Sequence, residues 1–153
     1  MRKATLATAA AMFMASSASA QLPFLSKRTG PPPQQQQQGT LQGVEALKAD
    51  FLAKTGADTI FFGLDSAQLG APARTTLAAQ AAWLRQHPEV VVRIEGHGDT
   101  GDTRDHALAM GARRAEEVRS YLVLLGVPAA QLSATTWGKE RPGSPRAVTV
   151  LVR

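Results

Sequence analysis

The residues best suited to chemistry stand in one short segment from Glu95 to Asp102, which reads E-G-H-G-D-T-G-D. Its side chains supply three carboxylates and one imidazole, and its glycines allow tight turns and close approach of a ligand. Fifteen residues after Asp99, Arg114 adds a guanidinium next to that of Arg113. The segment alone is also typical of a capped turn with incidental charges, but its combination with two arginines favours a site that binds a ligand.

Two other kinds of site agree less well with these residues. His97, Asp99 and His106 include the ligand types of a zinc or iron centre, but their spacing matches no metal-binding motif. A serine hydrolase of the α/β type would carry G-x-S-x-G, and the chain contains no such stretch. Trp83 and Trp137 are interpreted as packing residues rather than as a carbohydrate platform. We therefore expect a binding protein and not an enzyme, with no cofactor and no metal.

The elements that must position this segment alternate between strands and helices. The predicted strands are 59–62, 90–94, 133–137 and 147–152, and the predicted helices are 71–86 and 104–125. In the second helix an apolar face recurs every three or four residues, at Leu108, Gly111, Ala115, Val118, Leu122 and Leu125. Gly126 and Pro128 end this helix. The strand 90–94 is β-branched apart from Arg93 and is expected to be buried on both faces.

This order of elements predicts the fold class. Strands joined by helical crossovers form an α/β two-layer sandwich, here a βαβαββ sheet with helices on one face. The domain is expected to span residues 58–153. A short helix over residues 44–57, with apolar residues at helical spacing, is expected to lead into it.

The residues before this domain have a different character. A basic start, an apolar run and the small residues Ala18-Ser19-Ala20 predict a signal peptide over residues 1–20. Residues 21–43 contain three consecutive prolines and five consecutive glutamines, which predict an extended linker. The chain has no cysteine, so we expect no disulfide bond and no lipid anchor at a signal-peptide junction.

The charge of the chain argues against a nucleic-acid partner. The formal net charge is +5, but residues 58–153 carry eleven Lys or Arg against ten Asp or Glu. A domain with a net charge near +1 lacks the basic surface that binding to a phosphate backbone requires.

Several stretches resemble one protein family. Glu95–Asp99 and Met110–Ala115 are similar to the E-G-H-x-D and L-G-x-R-R-A sequences of OmpA-like C-terminal domains. Ile60–Phe62 with the turn at Asp65 resembles the first strand of that family, and Trp137–Pro142 resembles its G-K-E-x-P turn. Arg146-Ala147-Val148 is similar to the end of its N-R-R-A-V element. The most similar subgroup is the peptidoglycan-associated lipoproteins.

The resemblance implies a non-catalytic protein of the bacterial periplasm that is associated with the cell wall or the outer membrane. It implies binding to peptidoglycan through the meso-diaminopimelate of the stem peptide. Asp99 would pair with the ammonium of that group, and Arg114 would hold its carboxylate with a two-pronged contact. The further ligand-binding residues would be His97, Thr100, Asp65 and Arg146. The alternative is an envelope module that keeps the fold but binds other envelope proteins.

The chain also departs from the family pattern. Ala107 stands where the family has Asn, Gly63 where it has an aspartate, and His106 where it has Tyr. Gly101 and Asp102 reverse the acid-then-glycine order of its turn, and the stretch 142–146 is shorter than in typical members. These differences retain the charged pair but remove polar groups around it, which makes a weaker or altered affinity for peptidoglycan the alternative to an intact site.

Overall fold

The computed structural model describes residues 33–141, 143 and 145–152, with side chains from residue 43 onward. The helices and strands in chain order are α1 (Pro33–Thr55), β1 (Thr59–Phe61), α2 (Ala71–Gln86), β2 (Val92–His97), α3 (Arg104–Leu124), a 3₁₀ turn (Ala129–Gln131), β3 (Leu132–Gly138) and β4 (Arg146–Leu151). None of the described helices has both the length and the apolarity needed to cross a membrane. The predicted signal peptide and residues 21–32 of the predicted linker lie outside the described residues.

The four strands form a single sheet in the order β1-β4-β2-β3. β2 and β3 run parallel because α3 returns the chain between them, while β4 runs antiparallel to both β1 and β2. The register pairs Ile94 with Thr149 and Gly96 with Ala147, so these residues share the inner face of the sheet. The alternate residues of β2, beginning with Arg93, therefore face the other side.

The core lies between the inner face of the sheet and helices α2 and α3. The residues that fill it are fully or almost fully buried, among them Leu77, Ala81, Leu84, Val92, Ile94, Val118 and Leu122. A polar contact also lies within this core, where the Thr149 hydroxyl donates to Gln80 Oε1 at 3.0 Å. The predicted two-layer sandwich is confirmed, and the predicted apolar face of α3 is buried at Gly111, Ala115, Val118 and Leu122.

Helix α3 is positioned by its cap and by two glycines. The Thr103 hydroxyl accepts a hydrogen bond from the backbone N–H of His106 and caps the first turn. In the middle of the helix, Gly111 lies directly against Gly96 of β2, and a Cβ at Gly96 would overlap the Gly111 carbonyl. This close approach places Arg114, one turn further along, against the end of the sheet.

Two sequence predictions about β2 are corrected by the structure. The strand runs from Val92 to His97 instead of 90–94, so the E-G-H stretch lies inside the strand and not after it. The outer face of β2 carries the charged side chain of Glu95 rather than an apolar one. Glu95 is buried there by ion pairs with arginines, which an apolar pattern does not reveal.

The prediction of an extended linker up to residue 43 is wrong for residues 33–43, because α1 begins at Pro33. Two physical reasons account for this. Glutamine is a good helix former, and proline is tolerated in the first turn, where its missing N–H has no helical partner. The predicted helix 44–57 is thus the second half of a longer one.

Candidate ligand-binding site

Arg114 is the centre of the site and is completely buried. Its guanidinium donates to three backbone carbonyls, namely Ser66 O at 2.8 Å from Nε, His97 O at 2.8 Å from Nη1 and Gly63 O at 3.2 Å from Nη2. The Phe62 ring lies 5.7 Å from the guanidinium carbon. A buried guanidinium needs such partners, since an unpaired charge in the interior is costly. Arg114 therefore ties the loop after β1 to the end of β2.

Asp99 completes the set of Arg114 partners through the loosest of the four contacts, at 3.4 Å between Arg114 Nη2 and Asp99 Oδ2. The same oxygen accepts the backbone N–H of Asp65 at 3.3 Å. The other oxygen, Oδ1, is buried and has no hydrogen-bond partner among the described residues. Because a buried carboxylate oxygen without a donor is unfavourable, this atom is the natural acceptor for a ligand donor.

Asp65 and His106 join the loop after β1 to the first turn of α3. The His106 Nε2 atom lies 2.9 Å from Asp65 Oδ1 and 3.6 Å from Asp102 Oδ2. Asp65 has a positive φ of 47°, a conformation that aspartate adopts more readily than most residues. The histidine that replaces the family tyrosine therefore still connects these two segments. This contact was not predicted from the sequence. Its only sequence signal is that His106 can pair with a carboxylate such as Asp65 or Asp102.

An open depression of about 860 Å³ lies beside these residues. Its lining includes Leu64, Asp65, Asp99, Thr100, Asp102 and Pro145. Three predicted site residues, Asp65, Asp99 and Thr100, thus share one surface, with Arg114 directly behind Asp99. The depression has a negatively charged wall, and the buried guanidinium of Arg114 contacts Asp99 from outside the lining residues.

His97 and Arg146 occupy a different position from the other predicted residues. His97 contributes its backbone carbonyl to Arg114, but its side chain belongs to the outer face of the sheet, where the register pairs it with Arg146. Burial lowers the pKa of the His97 imidazole, and Arg146 lowers it further, while Glu95 raises it and Arg141 again lowers it. The Arg146 guanidinium lies against Gly143, which lines the depression. Arg146 therefore borders the depression from the outer side.

Two positions that depart from the family pattern, Ala107 and Gly63, make close backbone contacts. Ala107 is fully buried, and its backbone fits against Gly98 so closely that a Cβ on Gly98 would overlap it. Gly63 uses its carbonyl, rather than a side chain, to contact Arg114. The roles of Gly63 and Ser66 were missed by sequence reasoning, because a backbone carbonyl carries no sequence signal.

Comparison with known proteins matches residues 61–150 to the OmpA family. The peptidoglycan-associated lipoprotein of Mesorhizobium japonicum is 47% identical over 93 residues, which cover 61% of this chain and 55% of that protein. The protein of the same name from Pseudomonas aeruginosa is 40% identical over 99 residues, covering 65% and 58%. The chain thus spans little more than half the length of the curated relatives that it matches.

Solved structures show the same fold. The peptidoglycan-associated lipoprotein of Burkholderia pseudomallei superposes with a TM-score of 0.61 at 34% identity, covering 63% of this chain and 91% of that one. The C-terminal domain of Helicobacter pylori MotB gives a TM-score of 0.58 at 19% identity, covering 63% and 84%. The second likeness concerns the fold alone.

Proposed function

This chain belongs to the OmpA family, a non-catalytic family, and from that membership we propose that it binds peptidoglycan in the periplasm. The proposed ligand is the diaminopimelate of the stem peptide, bound in the depression beside Asp99. The observation that carries the proposal is the loose Asp99–Arg114 pair, in which Asp99 lines the depression and the fully buried Arg114 lies 3.4 Å behind it.

The chemistry of the ligand fits this pair. The free end of the diaminopimelate side chain carries an ammonium and a carboxylate on the same carbon. The ammonium would donate to Asp99 Oδ1, the oxygen that has no partner among the described residues. The carboxylate would take the N–H of Arg114 that now faces Asp99 at 3.4 Å. A zwitterion would thereby insert into the weakest contact of the site and leave the other three Arg114 hydrogen bonds in place.

The geometry supports one refinement of the two-pronged contact expected for Arg114. A guanidinium has five N–H donors, and four hydrogen bonds from Arg114 are made within the described residues. The ligand carboxylate therefore gains a full pair of N–H groups only when Asp99 releases one of them. Binding of the ammonium to Asp99 and of the carboxylate to Arg114 would for this reason be coupled.

Thr100 and Asp65 have supporting roles in the proposed complex. Both line the depression, and Asp65 already donates its backbone N–H to Asp99, which holds that carboxylate in place. The Thr100 hydroxyl is exposed and offers a further donor or acceptor to the stem peptide. The absence of an Asn at position 107 leaves fewer side-chain contacts than the family pattern provides.

The proposal is tested by co-sedimentation of residues 21–153 with diaminopimelate-type sacculi. We expect Asp99→Asn to weaken binding about tenfold or more, because a hydrogen bond to a charged group contributes about 1.5 to 3 kcal/mol. The matched control is Asp105→Asn, the same substitution at an exposed aspartate in the first turn of α3. Lysine-type peptidoglycan, whose stem peptide lacks the second carboxylate, should sediment much less protein.

Two results would contradict the proposal. One is equal sedimentation of the Asp99→Asn and Asp105→Asn variants, which would place the ligand away from Asp99. The other is equal binding to both types of peptidoglycan, which would leave wall binding intact but remove the diaminopimelate specificity.

A further inference from the structure

The outer face of β2 and β3 carries a charge cluster that the proposed peptidoglycan site does not use. Glu95 lies at its centre and is only 3% exposed. Its Oε1 accepts from Arg93 Nη2 at 2.8 Å, and its Oε2 accepts from Arg141 Nη1 at 2.7 Å. One buried carboxylate thus fixes two guanidiniums in place on a sheet face that no described helix covers.

The two guanidiniums remain available to a partner. The side chains of Arg93 and Arg141 are 43% and 51% exposed, although both are held by Glu95. Two positive groups face one negative group, so the cluster keeps an excess positive charge. Arg146 adds a third guanidinium to the same face through its register position opposite His97.

Trp137 supplies the aromatic part of this surface. The Arg141 guanidinium carbon lies 3.9 Å from the centroid of its ring. The indole Nε1 is buried and has no hydrogen-bond partner among the described residues. An orphaned buried donor is uncommon in folded proteins, and beside two anchored guanidiniums it points to an acceptor supplied from outside.

We propose that this outer face, defined by Arg93, Glu95, Trp137 and Arg141, binds an acidic segment of a partner protein. Trp and Arg are the residues most enriched at the energetic centres of protein interfaces. Carboxylates of the partner would pair with the exposed edges of Arg93 and Arg141, and one acceptor would satisfy the Trp137 indole. Pre-positioned arginines lose little side-chain freedom on binding, which favours such a contact.

Charge complementarity excludes the two nearest alternative occupants. Residues 21–32 of this chain contain Lys27 and Arg28 and no acidic residue, so this segment would be repelled by the face. A second copy docked on the same face would oppose arginines with arginines. An acidic partner of different sequence remains as the occupant.

The test uses ¹⁵N-labelled residues 21–153 titrated with a short synthetic peptide rich in glutamate and tyrosine. We expect the indole N–H signal of Trp137 to shift, along with backbone signals of β2 and β3. The indole of Trp83 serves as an internal control, because it donates to Asp50 at 2.7 Å on another part of the domain. A peptide with lysine in place of glutamate should cause no shift.

The matching variant replaces all three charges, as Arg93→Gln, Glu95→Gln and Arg141→Gln together, so that no buried charge is left unpaired. We expect it to bind the acidic peptide about tenfold or more weakly than the unmodified chain. Arg113→Gln is the control, since it lowers the net charge by the same one unit at an exposed position of α3 and should change binding about twofold at most. A well-dispersed spectrum of the triple variant establishes that it is folded.

The proposal is overturned if the acidic peptide causes no shift, if the shifts lie outside β2 and β3, or if the triple variant binds like Arg113→Gln. Anionic phosphatidylglycerol vesicles form a separate arm of the experiment. Binding to those vesicles without binding to the peptide would assign the face to a lipid surface and would equally overturn the proposal. Because Asp99→Asn leaves this face unchanged, failure here is distinguishable from failure of peptidoglycan binding.

Discussion

At the scale of single residues, Asp99 and Arg114 have unequal roles. Arg114 is completely buried and links three backbone carbonyls from two segments, so it contributes to the folded structure whether or not a ligand is present. Asp99 has one buried oxygen without a partner and lies on the wall of the depression. Substitution of Arg114 would therefore disturb folding and binding together, whereas Asp99→Asn keeps the shape of the side chain and replaces the charged carboxylate with a neutral amide.

His97 gives a residue-scale prediction for the pH dependence of stability. Its pKa in the folded state lies below the ordinary value of 6.5, chiefly because of burial and with a contribution from the charge of Arg146. The unfolded chain therefore binds a proton at a higher pH than the folded chain. Stability is complete above pH 6.5 and falls as the pH decreases from there toward the lowered pKa, by at most about 1.4 kcal/mol per pH unit.

The measurement is the free energy of urea unfolding at pH 7.5 and at pH 5.5, for the unmodified chain and for His97→Gln. We expect the variant to lose less stability on acidification, even if its stability at the higher pH is already reduced. An unchanged difference between the two pH values would show that another group causes the acid sensitivity. An NMR titration of the His97 imidazole provides the direct control, with an expected midpoint below 6.5.

At the scale of elements, a helix was predictable where prolines mark both ends of a stretch with helical apolar periodicity. The bounds of α2 agree with those predicted, because Pro72 stands in its first turn and Pro88 follows its end. The start of α1 was not predictable from its prolines and glutamines, which are also typical of an extended linker. Ligand binding by Asp65, Asp99 and Thr100 stays a prediction, but their shared surface was predictable from the sequence. The carbonyls that hold Arg114 were not, because backbone groups 17 to 51 residues away leave no mark in the sequence.

The contact between α3 and β2 gives a prediction about Gly111. A Cβ at this position would meet the Thr136 hydroxyl and would lie 2.9 Å from the Gly96 carbonyl oxygen. That hydroxyl donates to Leu108 O at 3.1 Å, so it cannot move away freely. We expect Gly111→Ala to lower the free energy of unfolding by about 1 to 3 kcal/mol, as overpacking does, despite the higher helix propensity of alanine.

Gly43→Ala is the matched control, because Gly43 also lies within a helix and a Cβ there meets nothing within 4 Å. This control should gain stability, by up to about 1 kcal/mol from helix propensity. The measurement is the free energy of urea unfolding of both variants. Equal effects of the two substitutions would show that α3 and β2 do not pack as closely as the glycine pair indicates.

At the scale of the whole molecule, the extent of the folded unit differs from the predicted domain of residues 58–153. The family match begins at residue 61, so helix α1 lies outside the matched region. Yet Phe51 of α1 is fully buried in the core cluster and meets Trp83 of α2 edge to face, with ring centroids 5.1 Å apart. The Trp83 indole also donates to Asp50 at 2.7 Å. These contacts make the second half of α1 part of the domain rather than a lead-in to it.

This assignment predicts that a fragment starting at residue 58 is much less stable than one starting at residue 43. The shorter fragment exposes the face of Trp83 that Phe51 covers, and loss of a buried Phe side chain costs about 3 to 5 kcal/mol. That cost is a large share of the roughly 5 to 15 kcal/mol that stabilises a typical domain. Phe51→Ala in residues 21–153 should lose a similar amount, whereas Phe61→Ala, at a phenylalanine that is 65% exposed, should lose about 0.5 kcal/mol or less. Equal urea midpoints for the two fragments would contradict this assignment. They would show that the folded unit begins at residue 58 and that α1 does not contribute to its stability.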